Sequence, residues 1–252
     1  MIEIISRTVE AMTLPFTISL ATVSASKLEQ ELDKLSAGIL SELERLEEKF
    51  SAFRSTSLVC RFQDGDKSVL LDQEFQEVFA LAEMAYQEET EGAFDPYYKG
   101  IYDPTGLVKG WVIEELFKSK MLPYLQHPAV EAVCLNGGGD MQFATKETSD
   151  FLWKIGIENP ENLQEILAVF SAKNGAIATS GYSKRGQHIQ SKNGLQQITF
   201  MDTSLTRADV WATAGLSMPE NKLAQAIAHN QLSGLAIKPQ QLQFFQKGEF
   251  IS

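Results

Sequence analysis

The chain has 252 residues, 44% of them hydrophobic and 22% charged, a balance that excludes a disordered, collagen-like or fibrous protein. A chain of this length buries about 70–75% of its unfolded surface and needs no staple to fold. Its 33 acidic and 22 basic side chains leave a net charge of −11, which argues against a nucleic-acid or anionic-membrane surface, since both require clustered Lys and Arg.

Taken in chain order, Met12 to Leu20 reads as a strand entering a core. Glu3 and Glu10 stand ahead of it, where a secretory signal would carry positive charge. From Ser26 to Phe50, Leu28, Leu32, Leu35, Ile39, Leu43, Leu46 and Phe50 recur at spacings of three and four, the signature of one apolar helix face. Ser26 with Glu29 has the spacing of a capping box. Asp72 is placed to cap a second helix carrying Phe75, Val78, Phe79, Ala82 and Tyr86 and stopping at Gly92, and a third spans Leu107 to Lys120, ending before Pro123.

Short strands follow. Ala132 to Leu135 is a buried run broken by Gly137-Gly138-Gly139, and Trp153, Ile155 and Ile157 alternate as in a half-buried strand. Ile166 to Ser171 and Ala176 to Thr179 flank Asn174-Gly175, a hairpin dipeptide. Gln197 to Met201 gives one more strand, before a helix beginning near Arg207. Helices first, then mainly antiparallel strands with packed helices, predicts an α+β fold. No linker or repeat divides the chain, so residues 1–252 read as one unit. No stretch reaches the roughly 18 apolar residues of a membrane span. Cys60 and Cys134 fit no metal or disulfide framework and read as reduced thiols, with the cytoplasm as the expected compartment.

Several segments have the composition of a site. Asp209 and Thr213, four residues apart on the helix after Thr206, project oxygens from one face. A hard cation such as magnesium accepts such donors, although an Asp in a first turn ordinarily serves the helix dipole and a Thr its own backbone. The glycines of Leu135-Asn136-Gly137-Gly138-Gly139-Asp140 let backbone approach a ligand or simply form a turn. Ala178-Thr179-Ser180-Gly181 reads equally as a phosphate cradle or a strand end. Lys109 falls in the first turn of its helix, where the dipole disfavours a cation by some tenths of a kcal/mol; a bound phosphate would reverse that penalty. His188, on a polar, glycine-flanked stretch, is the best acid–base candidate among three histidines.

The order of these segments carries more than any one of them. Gly92-Ala93-Phe94-Asp95-Pro96, Asp103-Pro104-Thr105-Gly106-Leu107-Val108-Lys109-Gly110, Leu135 to Asp140, Ile177 to Gly181, His188-Ile189 and Ala208-Asp209-Val210-Trp211-Ala212-Thr213-Ala214 together resemble the ApbE family of FAD:protein FMN transferases. The resemblance runs from about Arg7 to Met218. It implies a magnesium-dependent enzyme that cleaves FAD at its pyrophosphate, transfers FMN to a Ser or Thr of a partner protein and releases AMP. By position it implies metal ligation by Asp209 and Thr213, with backbone carbonyls near Gly106 and Ala212. It implies FAD contacts at Met12, Phe53, Ala93, Phe94, Asp95, Asp103, Lys109 and Gln190, and a general base at His188. The family's Met-Gly-Thr is here Met12-Thr13-Leu14, and its His-Ile-Ile-Asp-Pro is His188-Ile189-Gln190-Ser191-Lys192. No acceptor motif of the Asp-x-x-Ser/Thr-Gly-Ala/Ser-Ser/Thr type occurs in the chain, which implies a separate acceptor protein. The same residues would also serve an FAD pyrophosphatase giving FMN and AMP, or a non-catalytic FAD-binding protein.

Overall fold

The computed structural model describes residues 2–181 and 194–251. The chain enters through a hairpin of β1 (Glu3–Ala11) and β2 (Leu14–Thr22). Met12 and Thr13 between them both take left-handed conformations, φ 53° and 62°, the sense of turn that matches strand twist. The strand expected from Met12 therefore starts at Leu14.

In α1 (Ala25–Phe50) the three-and-four spacing becomes a continuous buried stripe from Leu28 to Phe50. The capping box does not form: the helix starts after Ser24, whose side chain makes no cap hydrogen bond, and Glu29 instead accepts from Arg7 Nη2 at 2.5 Å. After α2 (Leu58–Gln63), α3 (Gln73–Met84) begins as expected, with Asp72 accepting from the Phe75 amide at 3.0 Å. A π turn, Ala85–Glu89, extends it until the Gly92 amide donates to the Tyr86 carbonyl at 2.8 Å. Next comes α4 (Thr105–Leu116). Helical backbone continues beyond it through a π turn (Phe117–Met121) and a 3-10 turn (Leu122–Gln126). Pro123 lies at the start of that last turn, where its missing N–H costs nothing, so it does not stop the helix where expected.

The strands β3 (Val130–Gly137), β4 (Asp140–Thr145), β5 (Trp153–Asn159), β6 (Asn162–Ala172), β7 (Gly175–Gly181) and β8 (Gln197–Asp202) precede α5 (Leu205–Ser217) and α6 (Glu220–His229); β9 (Ser233–Lys238), β10 (Gln241–Gln246) and β11 (Glu249–Ile251) close the chain. Nine strands form one antiparallel sheet in the order β1-β2-β3-β4-β7-β8-β9-β10-β11, while β5 and β6 pair separately. The α+β expectation thus holds. The hairpin at Asn174-Gly175 does not: β6 belongs to the small sheet, and β7 pairs with β4 and β8. Asn174 accepts from the Thr145 amide at 2.9 Å instead, turning the chain from one sheet into the other.

Strand alternation sends side chains to two cores. Val133, Leu135, Ala176, Ala178 and Ala236 face the helices, against Leu28, Ile39, Trp111 and Trp211. Ala132, Cys134, Ile177, Leu235 and Ile237 face the other way, where Trp153, Ile155 and Ile157 of β5 cover them. The middle of the large sheet is therefore buried on both faces, between helices and a two-stranded lid. Cys60 and Cys134 are free thiols. Among the described residues no helix is long and apolar enough to cross a membrane.

A charged clasp joins α1 to α3. Arg45 places Nη1 and Nη2 each 2.8 Å from Glu74, and Lys49 lies 2.5 Å from Glu74 and 2.8 Å from Asp72. The Arg45 fork holds the Glu74 carboxyl at about 2, below its usual 4.5. A depressed carboxylate stabilises the fold above its unfolded pKa and loses that contribution as pH falls through the folded value. Thermal melts should therefore show stability falling between pH 4.5 and about 2, and Glu74→Gln should flatten that part of the profile while lowering the melting temperature at neutral pH.

Candidate active site

The candidate site lies where α4 and α5 cross beside the sheet. Gly110 is the crossing point: a Cβ there would come 2.8 Å from Asp209 Cβ and 2.9 Å from the Leu205 carbonyl oxygen. With no Cβ in the way, Asp209 Oδ2 accepts the Gly110 amide at 3.0 Å.

Lys109 reaches between two buried carboxylates. Its Nζ stands 3.6 Å from Asp209 Oδ1 and in direct contact with Asp140 Oδ2. Asp140 opens β4 directly after the glycine turn, and its Oδ1 accepts from the Thr179 amide of β7 at 2.9 Å. Burial opposes the charge on Lys109, but Asp209 and Asp140 outweigh it and hold the ammonium above its ordinary range. Burial pushes the Asp209 carboxyl up; Lys109 opposes this, and the Asp140 charge adds to it. Fully ionised, two carboxylates and one ammonium leave a single net negative charge in a region shielded from water. Lys109 thus differs from expectation: because α4 starts at Thr105 it lies beyond the first turn, and its charge is met by carboxylates rather than left for the helix terminus to repel.

One turn further along α5, Thr213 faces Gly106. A Cβ on Gly106 would meet the Phe94 ring at 3.1 Å, Thr213 Cγ2 at 3.5 Å and Thr213 Oγ1 at 3.7 Å. Ala212 is fully buried beside it. The segment carrying Ala93, Phe94 and Asp95 is tied in from both ends. Ser217 Oγ donates to the Ala93 carbonyl at 2.9 Å, and the Phe94 amide donates to Thr90 Oγ1 at 2.9 Å. Asp95 accepts from the Tyr97 amide at 2.7 Å, while Asp103 accepts from the Thr105 amide at 3.1 Å and pairs with Lys99 at 2.9 Å. Burial would raise the Asp103 carboxyl, but these donors hold it below its usual range. On the other side of α4, Glu114 ties down the start of α5 by accepting from Ser204 Oγ at 2.7 Å and from the Thr206 amide at 2.9 Å.

Met12 and Arg54, the neighbour of Phe53, meet at Glu47 of α1. Glu47 accepts from the Met12 amide at 3.0 Å and from Arg54 at 3.1 Å. The Phe53 side chain is 88% exposed. The Met12 turn nevertheless abuts the glycine turn, where the Gly138 amide donates to the Pro15 carbonyl at 3.0 Å. His188 and Gln190 lie outside the described residues. A cavity of about 240 Å³ between α3, α4 and α5, lined by Glu77, Trp111, Glu114 and Arg207 among others, contains none of the predicted site residues. Asp140 is the residue that sequence reasoning missed as a functional group. The available signal was an acid heading a strand with Met141, Phe143 and Ala144 in it, since carboxylates are almost never fully buried unless paired.

No group of three or more His, Cys, Asp or Glu side chains gathers around a metal position among the described residues. The oxygens here suit magnesium all the same, because that ion takes one or two carboxylates and keeps several waters. Asp209 supplies a carboxylate, Thr213 a hydroxyl and Gly106 a backbone carbonyl, with Thr213 packed close to Gly106.

The segments gathered at this crossing are those that carry the resemblance to the ApbE family. The chain matches that family over residues 12–104 and 102–236 and belongs to it. It is similar over its length to the flavin transferase ApbE from Vibrio cholerae in its H257G form, with 19% identity, 97% of each chain covered and a TM-score of 0.69. It resembles the ApbE protein from Thermotoga maritima at 18% identity, 96% and 97% coverage and a TM-score of 0.78. The apo flavinyl transferase ApbE from Pseudomonas stutzeri aligns at 15% identity, 97% and 96% coverage and a TM-score of 0.70. Identities this low establish a shared fold. Among curated proteins no match is found.

The crossing predicts a pair of opposite glycine effects. Gly110→Ala should lower stability by about 1–3 kcal/mol in urea unfolding, because its Cβ meets backbone and Asp209. Gly38→Ala, on α1 with nothing within 4 Å of its Cβ, should raise stability by roughly 0.5–1 kcal/mol.

Proposed function

We propose that the protein is a magnesium-dependent FAD:protein FMN transferase, acting on a Ser or Thr of a separate acceptor protein and releasing AMP. The observation that carries this reading is the Asp140–Lys109–Asp209 cluster, one helical turn from Thr213 and Gly106: it joins four of the ordered segments at one place. The relatives named flavin transferases share its fold and support the same reading.

Asp209 and Thr213 would hold the metal together with carbonyls near Gly106 and Ala212. When bound, the ion supplies positive charge against the pyrophosphate and its leaving oxygen. Lys109, with 28% of its side chain still exposed, presents a cation to the same phosphates. Phe94, packed against Gly106, and the Met12 turn shape the pocket, with Ala93, Asp95, Asp103, Phe53 and Gln190 as further contacts of FAD. The acceptor hydroxyl oxygen forms a bond to the FMN phosphorus as the bond to the AMP oxygen breaks. The hydroxyl proton passes to His188, and AMP leaves with its phosphate. The chain as a whole has a net charge of −11, but because charges beyond about 8 Å are screened in physiological salt, a bound ion and Lys109 would suffice to reverse the sign locally.

Incubation with FAD, Mg²⁺ and a candidate acceptor domain, followed by mass spectrometry, tests the reading: the acceptor should gain one FMN while AMP appears in equal amount. Free FMN with an unmodified acceptor would show a pyrophosphatase instead. Asp209→Ala should abolish Mg²⁺-dependent AMP release; near-wild-type release at low Mg²⁺ would place the metal elsewhere. His188→Ala should slow transfer about 10²- to 10⁴-fold with FAD affinity within a few-fold of wild type, whereas a collapse of FAD binding would move His188 into the flavin pocket.

A further inference from the structure

We propose that Asp140 is a positioning residue that draws Lys109 away from the Asp209 carboxylate and so keeps Asp209 open to a divalent cation; the inference rests on the reading that Asp209 binds one. The geometry is asymmetric. Lys109 Nζ touches Asp140 Oδ2 but stands 3.6 Å from Asp209 Oδ1, outside hydrogen-bond range. Asp140 is 1% exposed, and a carboxylate that deep persists only when paired.

Asp140 also cannot follow the lysine. Its Oδ1 is held by the Thr179 amide, its own backbone pairs with Gly137 at the head of the β3–β4 hairpin, and Met141 beside it pairs with Ile177 of β7. The anchor is thus the sheet, whereas Lys109 sits at the end of a flexible four-carbon stem on α4. Asp209, held by the Gly110 amide through Oδ2, has Oδ1 on the lysine side. With Asp140 in place the three charges sum to −1, and a divalent ion entering at Asp209 meets a carboxylate that is only partly engaged. Without Asp140 the same ammonium has one buried carboxylate left to pair with, and closing on it would cancel the charge that attracts the ion.

Binding of Mn²⁺ to the flavin-free full-length protein, read from the electron paramagnetic resonance signal of the free ion, tests this without any turnover. Asp140→Asn should weaken Mn²⁺ binding roughly 10- to 100-fold, the range for removal of a group that orients a ligand. Adding Lys109→Gln to that variant should restore affinity to within a few-fold of wild type, because the competing cation is gone; a merely structural role for Asp140 predicts no such rescue. Wild-type affinity in Asp140→Asn, or a double variant as weak as the single one, would overturn the proposal. If thermal melting shows that Asp140→Asn is unfolded, Lys109→Gln alone decides: Mn²⁺ binding at least as tight as wild type supports the competition, and weaker binding overturns it. Asp209→Asn separates the two readings, since unchanged Mn²⁺ affinity there would remove the metal from Asp209 altogether.

Discussion

The approach of α4 to α5 at Gly110 is the contact on which the rest of the site depends. It lets a carboxylate from one helix accept a backbone amide from another, with no water between them. A buried carboxylate costs several kcal/mol unless compensated, so Asp209 requires the Gly110 amide and Lys109, and Lys109 in turn leans on Asp140. That acid is held by a strand of the sheet. Helix crossing, ion cluster and strand register are thus linked in series, and none of the three is in place alone.

The sheet gives this series a rigid base. Helices cover one face and the β5–β6 pair covers the other, so β4 and β7, which carry Asp140 and Thr179, are packed from both sides. Groups held on strands keep their positions more closely than groups on loops. The segment with Ala93, Phe94 and Asp95 is a loop, but it is stitched to α5 through Ser217 and to the end of α3 through Thr90.

Much of this was legible wherever one local rule acted alone. The leucine spacing of α1, the Asp72 cap and the alternation in β5 each follow from a single periodicity or a single hydrogen bond, and the ordered segments named Asp209, Thr213 and Gly106, which the fold brings to one helix crossing. The failures have a common cause in tertiary competition. Asn174-Gly175 has hairpin chemistry, yet its asparagine was claimed by the Thr145 amide and its flanking strands by different sheets. Glu29 has capping-box spacing, but Arg7 from β1 offered a charged partner. The strands β1, β10 and β11 were not foreseen, since most of their residues are exposed or half-buried and carry no buried apolar run; β9 was not foreseen either, although its middle is buried. Asp140 was passed over because an acid after a glycine turn reads as a solvated turn residue, and the structure shows this one buried.

The burial of α5 bears on how such a protein can change. Leu205, Ala208, Val210, Trp211, Ala212 and Ala214 are buried along with Thr206 and Asp209, and a Cβ on Gly215 would press on Ile198 and Phe200 at 3.1 Å. The helix has almost no solvent face on which substitutions drift freely. Variation on α5 is felt at once in the core, and the same helix cannot be loosened without moving Asp209 and Thr213. Diversification within this architecture is therefore channelled to the loops facing α5, and a designer altering the site would begin there and leave the helix untouched.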